Sequence, residues 1–408
     1  MKLQDLEIFV VGNPPPGFGG RYFLFVKLTT ACGVTGYGEV YAASVGPDAM
    51  RAVIVDVFER HFAGEAPDRV ELLFRRAYSA GFSQRPDPTV IGAFSGLEIA
   101  CWDIVGKALD RPVHALLGGK VRERVRAYTY LYPAPGEDPA GFYASPEQSA
   151  ARAAALVEED GFTAIKFDPA GAYTIWGGHQ PSMSDIARSE AFCRAIRAAV
   201  GDRADLLFGT HGQFTTSGAI RLGAAIAPHQ PLWFEEPVPP DNPAEMARVA
   251  AQCTVPIATG ERLTTLYEFA QVLRAGAASI LQPALGRVGG LWQARKIAAL
   301  AEGFNAQLAP HLYAGPIEWL ANIQLAGALP NFLLLETIGT GGDFHRKLLT
   351  DGGPTFETGH VLLPDSPGLG FALDEAVARA HPYDGTALHL EMQQAPPDYS
   401  RPSDFAGG

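Results

Sequence analysis

Cysteine is scarce in this chain. Cys32, Cys101, Cys193 and Cys253 are scattered through 408 residues. None forms a C-x-x-C pair, so neither a thiolate zinc site nor a disulfide framework is expected. They read as buried thiols of a protein kept in the reducing cytoplasm. Long apolar runs are also missing. None approaches 18 residues, which by that criterion excludes a membrane span. Residues Met1-Lys-Leu-Gln-Asp-Leu-Glu7 carry acids where a signal peptide would have its apolar core. Positive charge is the minority sign, with 32 lysines and arginines against 44 aspartates and glutamates, a net charge of −12. That excludes nucleic acid and anionic membranes as expected partners. It leaves room for a small anion bound at one local site.

What the chain does have is core. Hydrophobic residues make up 47% and charged residues 19%, the composition of a globular protein. Its length fits a barrel of about 250 residues plus a second domain. The spacing of three short segments points to that barrel. Glu235 lies in Leu232-Trp-Phe-Glu-Glu-Pro237, and Glu261 in Pro256-Ile-Ala-Thr-Gly-Glu-Arg262. They are 26 residues apart, and 26 more lead back to Gly209, in Leu206-Leu-Phe-Gly-Thr-His-Gly212. Each station closes a short apolar run and precedes a helix-like stretch. A parallel strand with its return helix takes roughly 25–30 residues. The stations therefore read as C-terminal ends of neighbouring strands, where barrel enzymes keep their catalytic groups. Carboxylates converging there suit a divalent cation.

The same rhythm runs from about residue 125. Strand ends are expected near Tyr130, Asp168, His211, Glu235, Glu261, Gln282, His311 and Glu336. Amphipathic segments at 147–159, 185–199, 243–252, 265–275 and 290–303 separate them. Eight α/β units close a barrel. Residues 1–122 lack the rhythm. Leu3–Val11 and Tyr22–Thr29 read as strands, Gly33–Glu39 continues as a further hairpin, and 46–63 and 91–109 read as helices, an α+β module. The barrel is placed at 123–340, and 341–408 are expected to pack back onto the N-terminal module. The 169–184 insert, with Tyr173, Trp176 and His179, should hang over the active face.

Longer motifs carry a resemblance. Leu97-Glu-Ile-Ala-Cys-Trp-Asp-Ile-Val-Gly-Lys107, Arg111-Pro-Val-His-Ala-Leu-Leu-Gly-Gly119, Phe234-Glu-Glu-Pro237, Gly260-Glu261 and the Pro364–Gly370 segment resemble the mandelate racemase-like branch of the enolase superfamily. The resemblance covers essentially the whole chain. It implies an α/β fold, a modified (β/α)8-type barrel under an α+β capping domain built from both termini, and self-association into a homo-oligomer of two to eight copies. It also implies the chemistry: Mg2+, with Mn2+ as the alternative ion, chelates the carboxylate of a sugar acid, a base takes the α-proton, and the metal stabilises the enediolate. Enolase-type sites pair a lysine or histidine base with Mg2+ in this way.

Residue by residue, the resemblance makes Glu235 and Glu261 metal ligands. It expects an aspartate where this chain has Gly209. Three accounts stand: His211 completes the metal site, Asp168 reaches across, or water fills the gap. His211 also matches the general acid of acid-sugar dehydratases. His311, in Leu308-Ala-Pro-His-Leu-Tyr313, matches the base, yet Ala284 stands where its aspartate partner is expected. Lys166 and Asp168 replace a Lys-x-Lys pair, which disfavours a lysine base. Glu336 matches the glutamate that hydrogen-bonds the substrate carboxylate, and Lys166 either binds that carboxylate or pairs with Asp168. Tyr130, Tyr132 and Arg126 offer a tyrosine–arginine base, while Phe18 and Arg21, in the Pro14–Arg21 loop, are expected to touch the substrate. The reading is a metal-dependent acid-sugar dehydratase. An epimerase or lactone cycloisomerase, and a sugar-acid binder with degraded chemistry, stand as alternatives.

Overall fold

The computed structural model describes residues 1–41 and 44–396. Its first layer is an antiparallel meander of β1 (Leu3–Gly12), β2 (Tyr22–Thr30) and β3 (Thr35–Val40). Gly12 pairs with Tyr22 across the proline-rich loop, and Val26 pairs with Gly38. One face of this sheet is closed by the helix Pro88–Ala108. Asp87 caps it, accepting from the amides of Thr89 and Val90 at 2.9 and 3.2 Å. Glycines let helix and sheet approach. A Cβ on Gly38 would stand 1.8 Å from the Gly96 carbonyl oxygen.

This helix corrects the expectation of no span-like segment. By length and mean hydropathy it alone among the described residues passes the test for a membrane-crossing helix, and 78% of its most apolar window is buried in the fold. Glu98 and Asp103 interrupt the run in sequence, and both face protein. Glu98 accepts from the amides of Leu291 and Trp292 at 2.8 and 2.9 Å, capping the barrel helix Gly290–Glu302. Asp103 accepts from the amides of Tyr37 at 3.0 Å and Leu369 at 2.9 Å. Two buried carboxylates thus tie capping sheet, barrel and C-terminal tail to one helix, and each is satisfied by donors as burial requires.

The barrel is made by β4 (Arg124–Tyr130), β5 (Ala164–Phe167), β6 (Asp205–Phe208), β7 (Trp233–Glu235), β8 (Ile257–Thr259), β9 (Ile280–Leu281), β10 (Gln307–Leu308) and β11 (Leu335–Thr337). Neighbours from β4 through β10 pair in parallel. β11 pairs with β4, and a parallel bridge from Leu308 to Phe332 links the last two turns, so the sheet closes. All eight expected strand ends lie within three residues of the observed ones. This is the (β/α)8-type barrel with an α+β cap that the resemblance implies.

Strand alternation then fixes the site. Tyr128, Ala164, Leu207, Trp233, Ala258, Ile280, Ala309 and Leu334 form one buried cluster, a plug drawn from every strand position. Bulky Tyr128 and Trp233 sit edge to face at 5.4 Å while alanines stand at three other positions. Side chains repeat every two residues along a strand. Two residues beyond the plug come Tyr130, Lys166, Gly209, Glu235, Gly260, Gln282, His311 and Glu336.

After β11 the chain forms a hairpin, β12 (Phe356–Glu357) and β13 (His360–Leu362), and β13 pairs antiparallel with β4. The helix Glu375–Ala380 follows, and Glu375 accepts from Tyr37 Oη at 2.7 Å on the capping sheet. The segment 388–394 then crosses above the barrel mouth. Gln393 N donates to the Tyr173 carbonyl at 2.8 Å, and Ile175 N to the Gln393 carbonyl at 3.1 Å.

The glycine contact between helix and sheet yields a test. Gly38→Ala should destabilise the protein by about 1–3 kcal/mol through overpacking. Gly303→Ala, where the nearest atom is at 3.4 Å, should change stability by less than about 0.5 kcal/mol. Chemical denaturation of the two variants checks the difference.

Candidate active site

Four acidic or basic side chains of the layer above the plug, Lys166, Glu235, His311 and Glu336, are almost completely buried. Glu235, at the end of β7, has no exposed surface. Its Oε1 accepts from Lys166 Nζ at 2.6 Å and its Oε2 from Gln282 Nε2 at 2.8 Å. Burial raises its pKa, and Lys166 works against that rise. Lys166 also lies 3.7 Å from Glu336 Oε1. Burial works to discharge Lys166, yet Glu235 and Glu336 hold its ammonium well above the usual lysine range. Glu336 Oε2 accepts from the Leu312 amide at 2.7 Å. Burial pushes its pKa up to about 7.

Glu261 sits just past β8, after Gly260 turns the chain at φ +139°. Two imidazoles flank it. His211 Nε2 is 3.6 Å from Oε1, and His311 Nε2 is 3.6 Å from Oε2. Burial alone would raise this carboxyl, but His211, His311 and Lys166 hold it below the usual carboxylate range. Burial pushes His311 down to about 3, so its ring is neutral at physiological pH. Its Nδ1 has no hydrogen-bond partner among the described residues. Among the described residues no carboxylate bonds to that nitrogen, in keeping with Ala284 at the position where an aspartate partner is expected.

Gly209 is where the family-like pattern breaks, and the neighbouring strand explains it. The Gly209 amide donates to the Phe167 carbonyl at 3.0 Å, which brings Asp168 alongside. Asp168 Oδ1 occupies the place of the missing side chain: a Cβ on Gly209 would stand 1.7 Å from it. Asp168 Oδ2 accepts from Tyr173 Oη and lies 3.6 Å from His211 Nδ1. Asp168 is 4% exposed, and Oδ1 has no partner among the described residues.

One ligand atom each from His211, Glu235 and Glu261 lies within 4.8 Å of the other two. Donors about 2.1 Å from a common ion stand roughly 3–4 Å apart, so small side-chain shifts bring the trio onto a divalent ion. Glu261 Oε2 is buried and accepts no hydrogen bond. The donor set and this orphaned oxygen fit a metal.

Lys166, Asp168, His211, Glu261, His311 and Glu336 line a cavity of about 60 Å³ with Tyr41, Tyr130, Tyr132, Tyr173, Tyr313 and Leu390, and Glu235 lies buried just behind it. Burial raises the phenols of Tyr130, Tyr132 and Tyr173 well above their ordinary pKa, so they stay protonated. Outside lies an open groove of about 950 Å³, lined by Pro14–Phe18 and sharing Tyr130 and Tyr132 with the cavity. Phe18 stacks on Tyr132 at 4.0 Å.

Two sequence expectations fail here. Arg21 does not reach the cavity; it is exposed and pairs with Glu391 at 2.9 Å. Arg126 lies at the opposite end of β4, bonded to Asp205 at 2.7 Å and to Thr163, so no tyrosine–arginine pair forms with Tyr130. Glu236 turns away, at φ +40°, onto Arg262 at 2.7 Å. Sequence reasoning missed Tyr41, Tyr313, Leu390 and the bond from Gln282. Tyr173 it placed only within the overhanging insert. The Leu390 contact had no sequence signal, because it depends on where the tail crosses.

A family model described as the mandelate racemase/muconate lactonizing enzyme N-terminal domain matches residues 18–118. One described as enolase C-terminal domain-like matches residues 148–377. The chain is 34% identical to a D-xylonate dehydratase of Haloferax volcanii, over 96% of this chain and 91% of that one. It is 33% identical to a D-galactonate dehydratase of Ralstonia nicotianae, over 93% of each. A solved mandelate racemase/muconate lactonizing enzyme-like protein from Roseovarius sp. TM1035 aligns at 63% identity with a TM-score of 0.96, covering 98% of this chain and 100% of that one.

The buried charge balance is testable. Lys166→Met leaves Glu235 without its ammonium partner and should cost about 3–5 kcal/mol in the presence of a chelator. Excess divalent ion should recover part of that loss by replacing the missing positive charge. Thermal melts with and without metal check both halves.

Proposed function

The chain belongs to the mandelate racemase/muconate lactonizing enzyme family, and from that premise we propose that it is a metal-dependent acid-sugar dehydratase acting on an aldonic acid of xylonate or galactonate type. The observation that carries the reading is one cavity lined by a fixed cation, a neutral imidazole and two members of a metal-type trio, His211 and Glu261, with the third, Glu235, buried behind Lys166. Lys166 and Glu336 are placed to receive the substrate carboxylate, the first as a charge and the second as a donor near neutral pH. The phenols of Tyr130 and Tyr132 offer donors to sugar hydroxyls, whereas Tyr173 gives its one hydrogen to Asp168.

An α-proton beside a carboxylate is very weakly acidic. Glu235, Glu261 and His211 would hold a divalent ion, Mg2+ or Mn2+, which would supply positive charge to offset charge growing on the carboxylate oxygens. His311 takes the α-proton at Nε2, breaking the C–H bond. It returns that proton to the β-hydroxyl as the C–O bond breaks, so water leaves and a carbon–carbon double bond forms. The resulting enol relaxes to a 2-keto-3-deoxy acid. With its imidazole in the metal trio, His211 has no nitrogen to spare as general acid, and His311 serves both steps.

A cavity of about 60 Å³ holds roughly four to six waters, fewer than the heavy atoms of a pentonic acid. The Phe18 loop, the 169–184 insert or the tail at Leu390 therefore moves to admit substrate.

A panel of aldonic acids with Mg2+ or Mn2+ tests the proposal. At least one should yield a 2-keto-3-deoxy acid, and His311→Asn should lower kcat by about 10²–10⁴. Deuterium exchange at the α-carbon without a keto product would assign an epimerase instead, and no reaction with any acid would contradict enzymatic turnover of this class.

A further inference from the structure

We infer that this chain has exchanged one oxygen donor of its metal site for the His211 imidazole, and that Asp168, seated over Gly209, is the residue that positions it. The site should therefore favour Mn2+ over Mg2+. This rests on the metal reading above and adds ion preference and a role for Asp168.

Gly209 holds the β6 position of the layer above the plug. A bare glycine there contributes no ligand atom. Nor is its space empty, since Asp168 Oδ1 fills it. The only residues among those described that form a metal-type trio are His211, Glu235 and Glu261. Two of the three are carboxylates and the third is an imidazole.

The two nitrogens of His211 face different ways. Nε2 faces Glu261 at 3.6 Å, and Nδ1 faces Asp168 at 3.6 Å. The Tyr173 ring lies against the imidazole with centroids 4.1 Å apart, and its hydroxyl donates to Asp168. The 3.6 Å separation exceeds a direct hydrogen bond, so Asp168 acts through its charge. A carboxylate on that side favours the tautomer with hydrogen on Nδ1. The lone pair is then on Nε2, facing the glutamates. Mg2+ prefers oxygen donors and parts reluctantly with its waters, whereas later divalent ions accept imidazole more readily.

The exchange also explains why an aspartate cannot simply return. A side chain at 209 and Asp168 compete for one volume, so the paired change Asp168→Gly with Gly209→Asp is the meaningful swap.

The test is pulsed electron paramagnetic resonance on the full chain loaded with Mn2+ alone, with Mg2+ affinity read by competition. A directly bound imidazole gives nitrogen-14 modulation of the Mn2+ echo. That modulation should persist in His311→Asn and vanish in His211→Asn. Mn2+ should bind more tightly than Mg2+, and Asp168→Asn should weaken Mn2+ by about 10–100-fold. The paired swap should narrow the preference for Mn2+. Mn2+ bound without nitrogen modulation, or Asp168→Asn with unchanged affinity, overturns this inference and leaves the metal reading intact. Failure of both ions to bind overturns the two together.

Discussion

Four carboxylates at the mouth of one barrel cannot remain buried together without compensating positive charge. Asp168, Glu235, Glu261 and Glu336 are each less than one-tenth exposed. Bringing such groups out of water disfavours their charged forms strongly. Lys166 serves Glu235 and Glu336. The two imidazoles flank Glu261. One ammonium is little positive charge for this many buried acids, and His311, pushed down by burial, adds none at physiological pH. A divalent ion would supply the missing charge, and the same charge would stabilise charge developing on a substrate.

The barrel produces this crowding by geometry. Parallel strands with a period of two send alternate residues into the lumen. An apolar plug fills one layer, and the layer above it has nothing left to bury except polar groups from eight strand ends. The cap completes the enclosure. Glu98 and Asp103 fasten it to the barrel and tail through backbone amides. The tail then lays Leu390 over the cavity, so both ends of the chain roof a site built by its middle.

Much of this was legible in the sequence because the barrel rhythm is local. Each apolar run closed by Glu235, Glu261, His311 or Glu336 marks its own strand end, and the 26-residue interval supplies the geometry. What the sequence could not show depends on contacts between strands. That Asp168 fills the space above Gly209 follows from the register of β5 against β6. Arg21 turns outward because Glu391, far away in sequence, is there to meet it. The Arg126 expectation was avoidable. It lies four residues before Tyr130, about 13 Å along a strand, and so belongs to the other end of the barrel. The helix Pro88–Ala108 escaped a search for unbroken apolar runs because its two buried acids interrupt the pattern while serving the interior.

The most direct measurement of the metal site is a crystal structure of the chain soaked in Mn2+, with the ion located by its anomalous scattering. The account predicts one strong peak about 2.0–2.3 Å from Glu235, Glu261 and His211. A crystal in which Lys166 stays bonded to Glu235 and no ion enters between the glutamates would contradict it.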